Sequence, residues 1–260
     1  MQQLKIEKAN KMNRLLGNNK VKTTTKKERG YILYKGASIL DGAPIVVIAT
    51  MSTSNIKTGD MIQTWIIRSD ISPMEASKQF KDVSICGNCP HRQNTGGACY
   101  VNLGQAPTAI YNSYIKGNYP LFDTKKHNQY FMGRKIRLGA YGDPAAAPYE
   151  VWNNLLKLCN GHTGYTHQIK HVNFDKRFLS ICQVSADTPK QALKYQAQGA
   201  KTFRVALPND GLLDNEIECL SDSKGIKCID CGLCDGLKQN IAIVVHGARS
   251  PRFKSTFIAA

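Results

Sequence analysis

The sequence has no apolar run long enough to cross a membrane, since no stretch approaches the roughly 20 apolar residues that a spanning helix needs. Its amino terminus, MQQLKIEKANKMNRLLGNNK, lacks the apolar segment and the small-residue cleavage site of a secretory signal. It also contains no short-period repeat and no low-complexity block. We therefore expect a cytoplasmic protein with no membrane partner.

Acidic residues are scarce. The chain carries 19 Asp and Glu against 35 Lys and Arg, a formal net charge of +16. Residues 1–35 hold half of this excess, because ten basic residues there face only Glu7 and Glu28. We predict that residues 1–30 form a basic, flexible tail that attracts nucleic acid by releasing counterions from its phosphates. A solubilising tail and a mitochondrial presequence are the alternatives.

The nine cysteines are not expected to form disulfides. Cytoplasmic thiols stay reduced, and a chain of 260 residues can bury a core without covalent cross-links. Metal ligation, catalysis and core packing are the remaining uses. Cys159, at the end of an apolar helix, and Cys182, in an apolar strand, are predicted to be small core residues. The other seven cysteines form two groups.

Apolar strands alternate with helices from residue 136 onward, as in KIRLGAYGDPAAAPYEVWNNLLKLCNG. This alternation predicts parallel pairing with right-handed crossovers, and hence an α/β sheet or a complete or partial (β/α) barrel. Residues 31–83 are predicted to form a smaller β-rich segment, with a turn at Asp41-Gly42 and a short helix near Pro73. Residues 84–260 then contain the barrel and both cysteine groups.

The group near the carboxyl terminus is Cys219 followed by CIDCGLCDG, which contains Cys228, Cys231 and Cys234. Cysteines three apart on a turn-rich loop can direct their sulfurs to one point. Three such thiolates plus a remote one match iron–sulfur ligation, and also a four-sulfur zinc site. The spacing resembles the first three ligands of a bacterial ferredoxin, which favours an iron–sulfur cluster. Because all four ligands are present, we predict a structural or auxiliary site.

The stretch SICGNCPHRQNTGGACYVN offers only three thiolates, Cys86, Cys89 and Cys99. Metal sites that perform chemistry commonly leave one position open for substrate or water. If His91 turns inward, the site closes instead with three sulfurs and one nitrogen. An open site, a closed site that includes His91, and no metal at all are the three interpretations.

Polar residues follow the predicted parallel strands, at the ends where α/β proteins collect functional groups. Each of these residues alone could be structural, but their shared position predicts a site. The candidates for catalysis are Asp143, His167, Arg204 and His246, and the candidates for cofactor binding are Tyr141, Gly142, Ser185 and Asp187.

A family resemblance is carried by the early cysteine loop, by GAYGDPAAAPYEVW, by the THQ strand end and by SICQVSADTPKQALKYQAQGAKTFRV. Together they resemble bacteriophage and plasmid proteins whose barrels look like divergent radical S-adenosylmethionine enzymes. The likeness covers about residues 84–247. It implies a partial barrel in the host-cell cytoplasm, an iron–sulfur cluster on the early loop, and S-adenosylmethionine along the strand ends. The early cysteines are spaced C-x2-C-x9-C, whereas that superfamily usually has C-x3-C-x2-C.

Three functions are compatible with these observations. The first is an iron–sulfur enzyme that acts on nucleic acid or nucleotides, with the three-cysteine site catalytic. The second is a zinc-stabilised, non-enzymatic nucleic-acid-binding phage protein, in which aromatic rings stack on bases. The tyrosines available for this are Tyr100, Tyr111, Tyr114 and Tyr119, whose helical spacing equally predicts half-buried packing. The third is a scaffold or an inhibitor of a host protein.

Overall fold

The structure of the protein is a computed structural model, which describes residues 28–247 and 249–257. The predicted basic tail, residues 1–30, therefore lies almost entirely outside the described residues. One sheet is formed by nine strands: β1 (Gly30–Ala37), β2 (Pro44–Thr50), β3 (Ile62–Arg68), β4 (Ile136–Tyr141), β5 (His162–Thr166), β6 (Gln183–Ala186), β7 (Thr202–Ala206), β8 (Glu216–Glu218) and β9 (Asn240–Val244).

The sheet is mostly parallel, with the order β1-β2-β3-β4-β5-β6-β7-β9-β8. The strands β1, β2 and β3 pair antiparallel, and every neighbouring pair from β3 onward is parallel. The α/β class predicted from the alternation is therefore confirmed. The sheet is open, with β1 and β8 at its edges, so a barrel stays a prediction. The β-rich segment 31–83 is continuous with the rest, because β3 pairs with both β2 and β4.

Several helices begin at residues that the sequence marks as helix starts. Ser72 and Thr188 each accept a hydrogen bond of 3.2 Å from an N–H of the first turn, and Pro73 and Pro189 follow them. The α-helices of the described residues are α1 (Pro73–Lys78), α2 (Val83–Cys86), α3 (Ala106–Ile115), α4 (Thr124–His127), α5 (Tyr149–Leu156), α6 (Pro189–Gln196), α7 (Leu220–Ser223), α8 (Cys228–Cys231) and α9 (Ser250–Phe257). None of these nine is both long enough and apolar enough to cross a membrane.

The hydrophobic core is centred on β2 and β3. Residues 45–49 are all fully buried, which matches the unbroken apolar run in the sequence. Trp152 of α5 is also fully buried, and its indole N–H donates to the carbonyl of Pro144 (2.9 Å). Burial raises the pKa of Cys159 to about 11 and that of Cys182 well above its usual range. Both thiols contact this core, which suits the predicted role of small packing residues.

A bulge in β4 precedes the candidate site. Gln63 of β3 pairs with Arg137, but Trp65 pairs with Tyr141, so β4 carries two more residues than β3 between these pairs. Gly139 lies in the bulge with φ of +69°, where a Cβ would collide with the backbone of the following turn. Bulges next to sites redirect the residues that follow them. Here those residues form the turn that supports the first cysteine loop.

Candidate metal centres

The first cysteine set consists of Cys86, Cys89 and Cys99. Cys86 ends α2, and the chain then folds back on itself. The Cys89 N–H donates to the Cys86 carbonyl (3.1 Å), and the Cys99 N–H donates to the His91 carbonyl (2.9 Å). Burial first, and then the negative charges of Cys89 and Cys99, raise the pKa of Cys86 well above its usual range. The three sulfurs thus lie close enough to interact, and all three are free thiols.

Asp143 and Gln168 hold this loop in place. Gln168 Nε2 donates to the Cys86 carbonyl (2.9 Å) and to Asp143 Oδ2 (3.3 Å), which also accepts the His167 N–H (2.8 Å). The Asp143 N–H donates to the Ile85 carbonyl (2.6 Å). Burial raises the pKa of Asp143 above its usual range, although its hydrogen bonds oppose the shift. Asp143 therefore connects the ends of β4 and β5 to the cysteine loop, and its catalytic role stays a prediction.

A second cluster of ligand-type side chains, the histidine–aspartate group, comprises His91, His167 and Asp187. His91 belongs to the cysteine loop, and the other two directly follow β5 and β6. His91 Nε2 lies 2.6 Å from Asp187 Oδ1, and His167 Nε2 lies 4.0 Å from the same oxygen. The two imidazole rings meet edge to face at 5.6 Å. Within the described residues, no other three His, Cys, Asp or Glu have ligand atoms that all lie within 4.8 Å of one another.

The histidine–aspartate group interacts with the first cysteine set. Burial alone would lower the pKa of His167, but the negative charges of Cys89 and Asp187 outweigh it and raise this pKa well above its usual range. The two imidazoles in turn hold the pKa of Asp187 well below its usual range, against the effect of burial. His167 is therefore an imidazole that interacts with a sulfur, whereas His91 directs its Nε2 at Asp187.

Helix α9 covers this region. Phe253 is buried, and its ring stacks on His91 with 5.5 Å between the ring centroids. Burial raises the pKa of Cys99, and the positive charge of Arg249, just before α9, opposes that rise. The segment before and within α9 therefore forms part of the site. Its sequence carries no motif that points to this role.

The second cysteine set consists of Cys219, Cys228, Cys231 and Cys234. Cys219 precedes α7, Cys228 and Cys231 begin and end α8, and Cys234 is buried. Burial first, and also the negative charges of the other three thiolates, raise the pKa of Cys234 to about 12. These four thiols thus interact with one another, and all are free.

Backbone hydrogen bonds fix the second cysteine set to three parts of the sheet. The Cys228 N–H donates to the Lys57 carbonyl, which precedes β3 (2.9 Å). The Cys219 N–H donates to a carbonyl of β9 (2.8 Å), and the Cys234 carbonyl accepts the N–H of Gly164 in β5 (3.0 Å). The positions of the cysteines are therefore determined by the sheet as well as by their own loop.

The predicted cofactor contacts other than Asp187 lie at different distances from the first cysteine set. They are Tyr141, Gly142 and Ser185. Tyr141 is buried, and burial together with the charges of Cys86 and Cys99 raises its pKa well above its usual range. It therefore lies beside the first cysteine set. Gly142 packs against β3, and Ser185 lies within β6, where it pairs with β7.

Arg204 and His246, both predicted to be catalytic, have partners outside the first cysteine set. The buried guanidinium of Arg204 pairs with both carboxylate oxygens of Glu216, with Nε–Oε1 at 2.9 Å and Nη2–Oε2 at 2.6 Å. His246 is half exposed, and its Nε2 lies 3.1 Å from Lys57 Nζ. Lys57 pairs with Asp222 (3.0 Å), which lies between the cysteines of the second set. Catalytic roles for both residues stay predictions.

Comparison with known proteins provides no relative from which these roles could be carried over. No protein-family model matches the chain, and no curated protein or solved structure matches it. The resemblance to radical S-adenosylmethionine enzymes therefore stays a prediction.

Proposed function

We propose that the protein is an iron–sulfur enzyme with a partial (β/α) barrel, in which the first cysteine set performs chemistry and the second is auxiliary. One observation carries this proposal. The first cysteine set, the histidine–aspartate group and Asp143 meet beyond the carboxyl ends of β4, β5 and β6. In parallel α/β folds this end of the sheet carries the functional residues.

The spacing of the second cysteine set supports an iron–sulfur cluster over a zinc ion. Cys228, Cys231 and Cys234 are each three residues apart, like the first three ligands of a bacterial ferredoxin. Cys219 supplies the remote fourth thiolate. Zinc sites with four sulfurs more often use two separated pairs of cysteines.

The unequal number of cysteines supports different tasks for the two sets. Three thiolates leave one iron of a four-iron cluster without a cysteine ligand, whereas four thiolates leave none. A reduced cluster held by the first set would supply one electron to cleave a sulfonium carbon–sulfur bond of S-adenosylmethionine, which releases methionine. The adenosyl fragment would then take a hydrogen atom from the substrate to become 5′-deoxyadenosine. Tyr141 and Gly142, which directly precede Asp143, are the proposed contacts for that cofactor nearest to the cysteines.

Nucleic acid or a nucleotide is the proposed substrate class, and charge supports it. The net charge of +16 favours phosphate-rich partners. Tyr100, which follows Cys99, exposes 73% of its surface, and an exposed ring suits base stacking. Tyr111, Tyr114 and Tyr119 pack in or against the core, so they match the packing interpretation rather than the stacking one.

Anaerobic purification tests the metal content. We expect a brown protein that absorbs near 400 nm and contains iron and acid-labile sulfide in equal amounts. Cys99→Ser should remove the iron of the first set only, and Cys159→Ser, at a thiol outside both sets, should remove none. A colourless protein with two zinc ions would contradict the proposal and favour the zinc-stabilised nucleic-acid-binding protein.

Reduction in the presence of S-adenosylmethionine tests the reaction class. We expect release of methionine and 5′-deoxyadenosine by the reduced protein, and none from Cys99→Ser. A brown protein that does not cleave S-adenosylmethionine would agree with the proposed clusters but would contradict the radical reaction.

Deletion of residues 1–30 tests the nucleic-acid partner. We expect it to weaken binding of duplex and single-stranded oligonucleotides about equally and to flatten the salt dependence, because phosphate contacts carry little sequence information. Unchanged affinity and salt dependence would contradict an electrostatic role for the tail.

A further inference from the structure

We propose that His91, His167 and Asp187 form a mononuclear site for a divalent first-row transition-metal ion, separate from both cysteine sets. Their candidate ligand atoms, two imidazole Nε2 atoms and one carboxylate oxygen, all lie within 4.8 Å of one another. This inference does not rest on the proposed function. It holds equally if the cysteines bind zinc.

The donor set matches such an ion. Two imidazoles and one carboxylate, with the remaining positions open, are the ligands of many mononuclear iron and zinc sites. Bonds of about 2.0–2.2 Å to such an ion place neighbouring ligand atoms about 3 Å apart. The distances from Asp187 Oδ1 to the two Nε2 atoms, 2.6 Å and 4.0 Å, lie on either side of that value. Each of these two distances is therefore within about 1 Å of the separation that ligand atoms of such an ion would have.

An incompletely satisfied buried atom also supports the proposal. His167 Nε2 is buried and has no partner at ordinary hydrogen-bond distance among the described residues, although Asp187 Oδ1, at 4.0 Å, and the Cys89 sulfur attract it electrostatically. A buried polar atom without a partner costs free energy, and bound ions are one of the ways in which proteins satisfy such atoms. Coordination of an ion by this nitrogen would remove that cost.

The three side chains are held in place by their surroundings. Asp187 is 5% exposed, and its N–H donates to Gln191 Oε1 (3.0 Å), which fixes the start of the loop after β6. His91 stacks on Phe253 of α9. His167 is tied to Asp143 through its own N–H (2.8 Å). Ligands that the fold holds in this way need little reorganisation to bind an ion.

Asp187 acquires a different role in this proposal. As a metal ligand it would act on substrate or cofactor through the ion, rather than contacting S-adenosylmethionine directly. The interaction of His167 with Cys89 would then place the ion next to the first cysteine set.

Manganese(II) titration followed by electron paramagnetic resonance tests the site. Mn²⁺ prefers nitrogen and oxygen ligands to thiolates, and free Mn²⁺ gives a signal that is lost on binding. The full chain, purified without oxygen and with its cysteine sites filled as isolated, should bind one Mn²⁺. Zn²⁺ should displace it, because zinc binds such sites more tightly than manganese.

Asp187→Asn and His167→Gln should each weaken Mn²⁺ binding by at least about tenfold, the lower limit for loss of even an outer-sphere partner. His171→Gln, four residues beyond His167, should leave it unchanged. The iron and sulfide content should be the same in Asp187→Asn as in wild type, which separates this inference from the proposed function. If Asp187→Asn fails to fold, His167→Gln decides the question.

Three results would overturn the proposal. The first is that the wild type does not bind Mn²⁺. The second is that Asp187→Asn and His167→Gln both bind it as tightly as the wild type. The third is that Cys99→Ser loses Mn²⁺ binding while Asp187→Asn retains it. The last result would assign the ion to the sulfurs.

Discussion

Arg137 Nη2 donates a hydrogen bond of 2.7 Å to the hydroxyl of Tyr100, the residue that follows Cys99. Attraction to Tyr100 first, and also to Tyr165 and Cys228, raises the pKa of this guanidinium above its usual range, although burial opposes the rise. Arg137 is therefore a fixed positive charge that interacts with the loop of the first cysteine set and with a cysteine of the second.

Removal of this charge should lower the reduction potential of the iron–sulfur cluster proposed for the second cysteine set. A nearby cation stabilises the extra negative charge of a reduced cluster, so Arg137→Gln should lower the midpoint potential. A Coulomb interaction of about 1 kcal/mol corresponds to about 40 mV for one electron. Redox titration of the brown protein measures the shift. Tyr100→Phe removes the hydrogen bond but keeps the cation, so an equally large shift in Tyr100→Phe would contradict this explanation.

Gly87 should be irreplaceable in the first cysteine loop. Its φ of +51° and ψ of −131° lie in a region that only glycine adopts readily, and an added Cβ would overlap the side chain of Gln168. Gln168 cannot move freely, because it is bonded to Cys86 and Asp143. We expect Gly87→Ala to lower the free energy of unfolding by about 3 kcal/mol and to reduce the metal content of the first set.

Gly96→Ala is the matched control for Gly87→Ala. Gly96 also has a positive φ, +80°, but no heavy atom lies within 4 Å of the position of an added Cβ. Its cost should be about 1 kcal/mol, the strain of a left-handed non-glycine residue. Equal losses in the two variants, measured by chemical denaturation without oxygen, would show that neither the backbone conformation of Gly87 nor its contact with Gln168 adds to the cost.

Local patterns predict most of the secondary structure of this chain. The turn predicted at Asp41-Gly42 lies between β1 and β2, and the short helix predicted near Pro73 is α1. Both follow from local signals, an Asp-Gly turn and a Ser-Pro helix start, whose effects extend over a few residues. The pairing of β9 between β7 and β8 has no such signal, because it depends on packing between distant segments.

The candidate site is less predictable than the strands. Each cysteine set can be recognised from spacing, but the histidine–aspartate group cannot, because 96 residues separate His91 from Asp187. His91 can be assigned in sequence only as a fourth ligand of its own loop. Arg204 illustrates the opposite problem. A guanidinium near a strand end looks the same in sequence whether it faces a ligand or, as here, a buried carboxylate.

The ion pair between Arg204 and Glu216 should be essential for stability. Both side chains are fully buried. Removal of Arg204 leaves the Glu216 carboxylate as an uncompensated interior charge, and removal of the Glu216 charge leaves Arg204 with the more distant Asp210 (3.4 Å) as its counter-charge. We expect Arg204→Met and Glu216→Leu each to lower the free energy of unfolding by about 3–5 kcal/mol.

The double variant Arg204→Met/Glu216→Leu should be less destabilised than the sum of its single variants, because both charges are then absent. Chemical denaturation of the four proteins without oxygen measures the coupling. Additive losses would show that the two side chains act independently. Iron content that stays at the wild-type level in the folded variants would agree with a structural role for Arg204.

Protonation of His162 should reduce stability in mildly acidic solution. His162 begins β5, and its Nε2 lies 3.1 Å from the carbonyl oxygens of both Ile181 and Asp235. Burial lowers its pKa below the ordinary value of about 6.5, although Asp235 opposes the shift. The unfolded chain therefore takes up this proton at a higher pH than the folded protein does.

This group contributes its full stabilisation above about pH 6.5. The contribution is lost as the pH falls from that value to the lower pKa of the folded state, with a slope of at most about 1.4 kcal/mol per pH unit. His162→Gln keeps an N–H donor for the carbonyl oxygens but cannot take up the proton. Denaturation curves at about pH 7.5 and about pH 5.5 should therefore differ less for His162→Gln than for the wild type. Equal differences in the two proteins would show that the folded state accepts the proton at His162 as readily as the unfolded chain does.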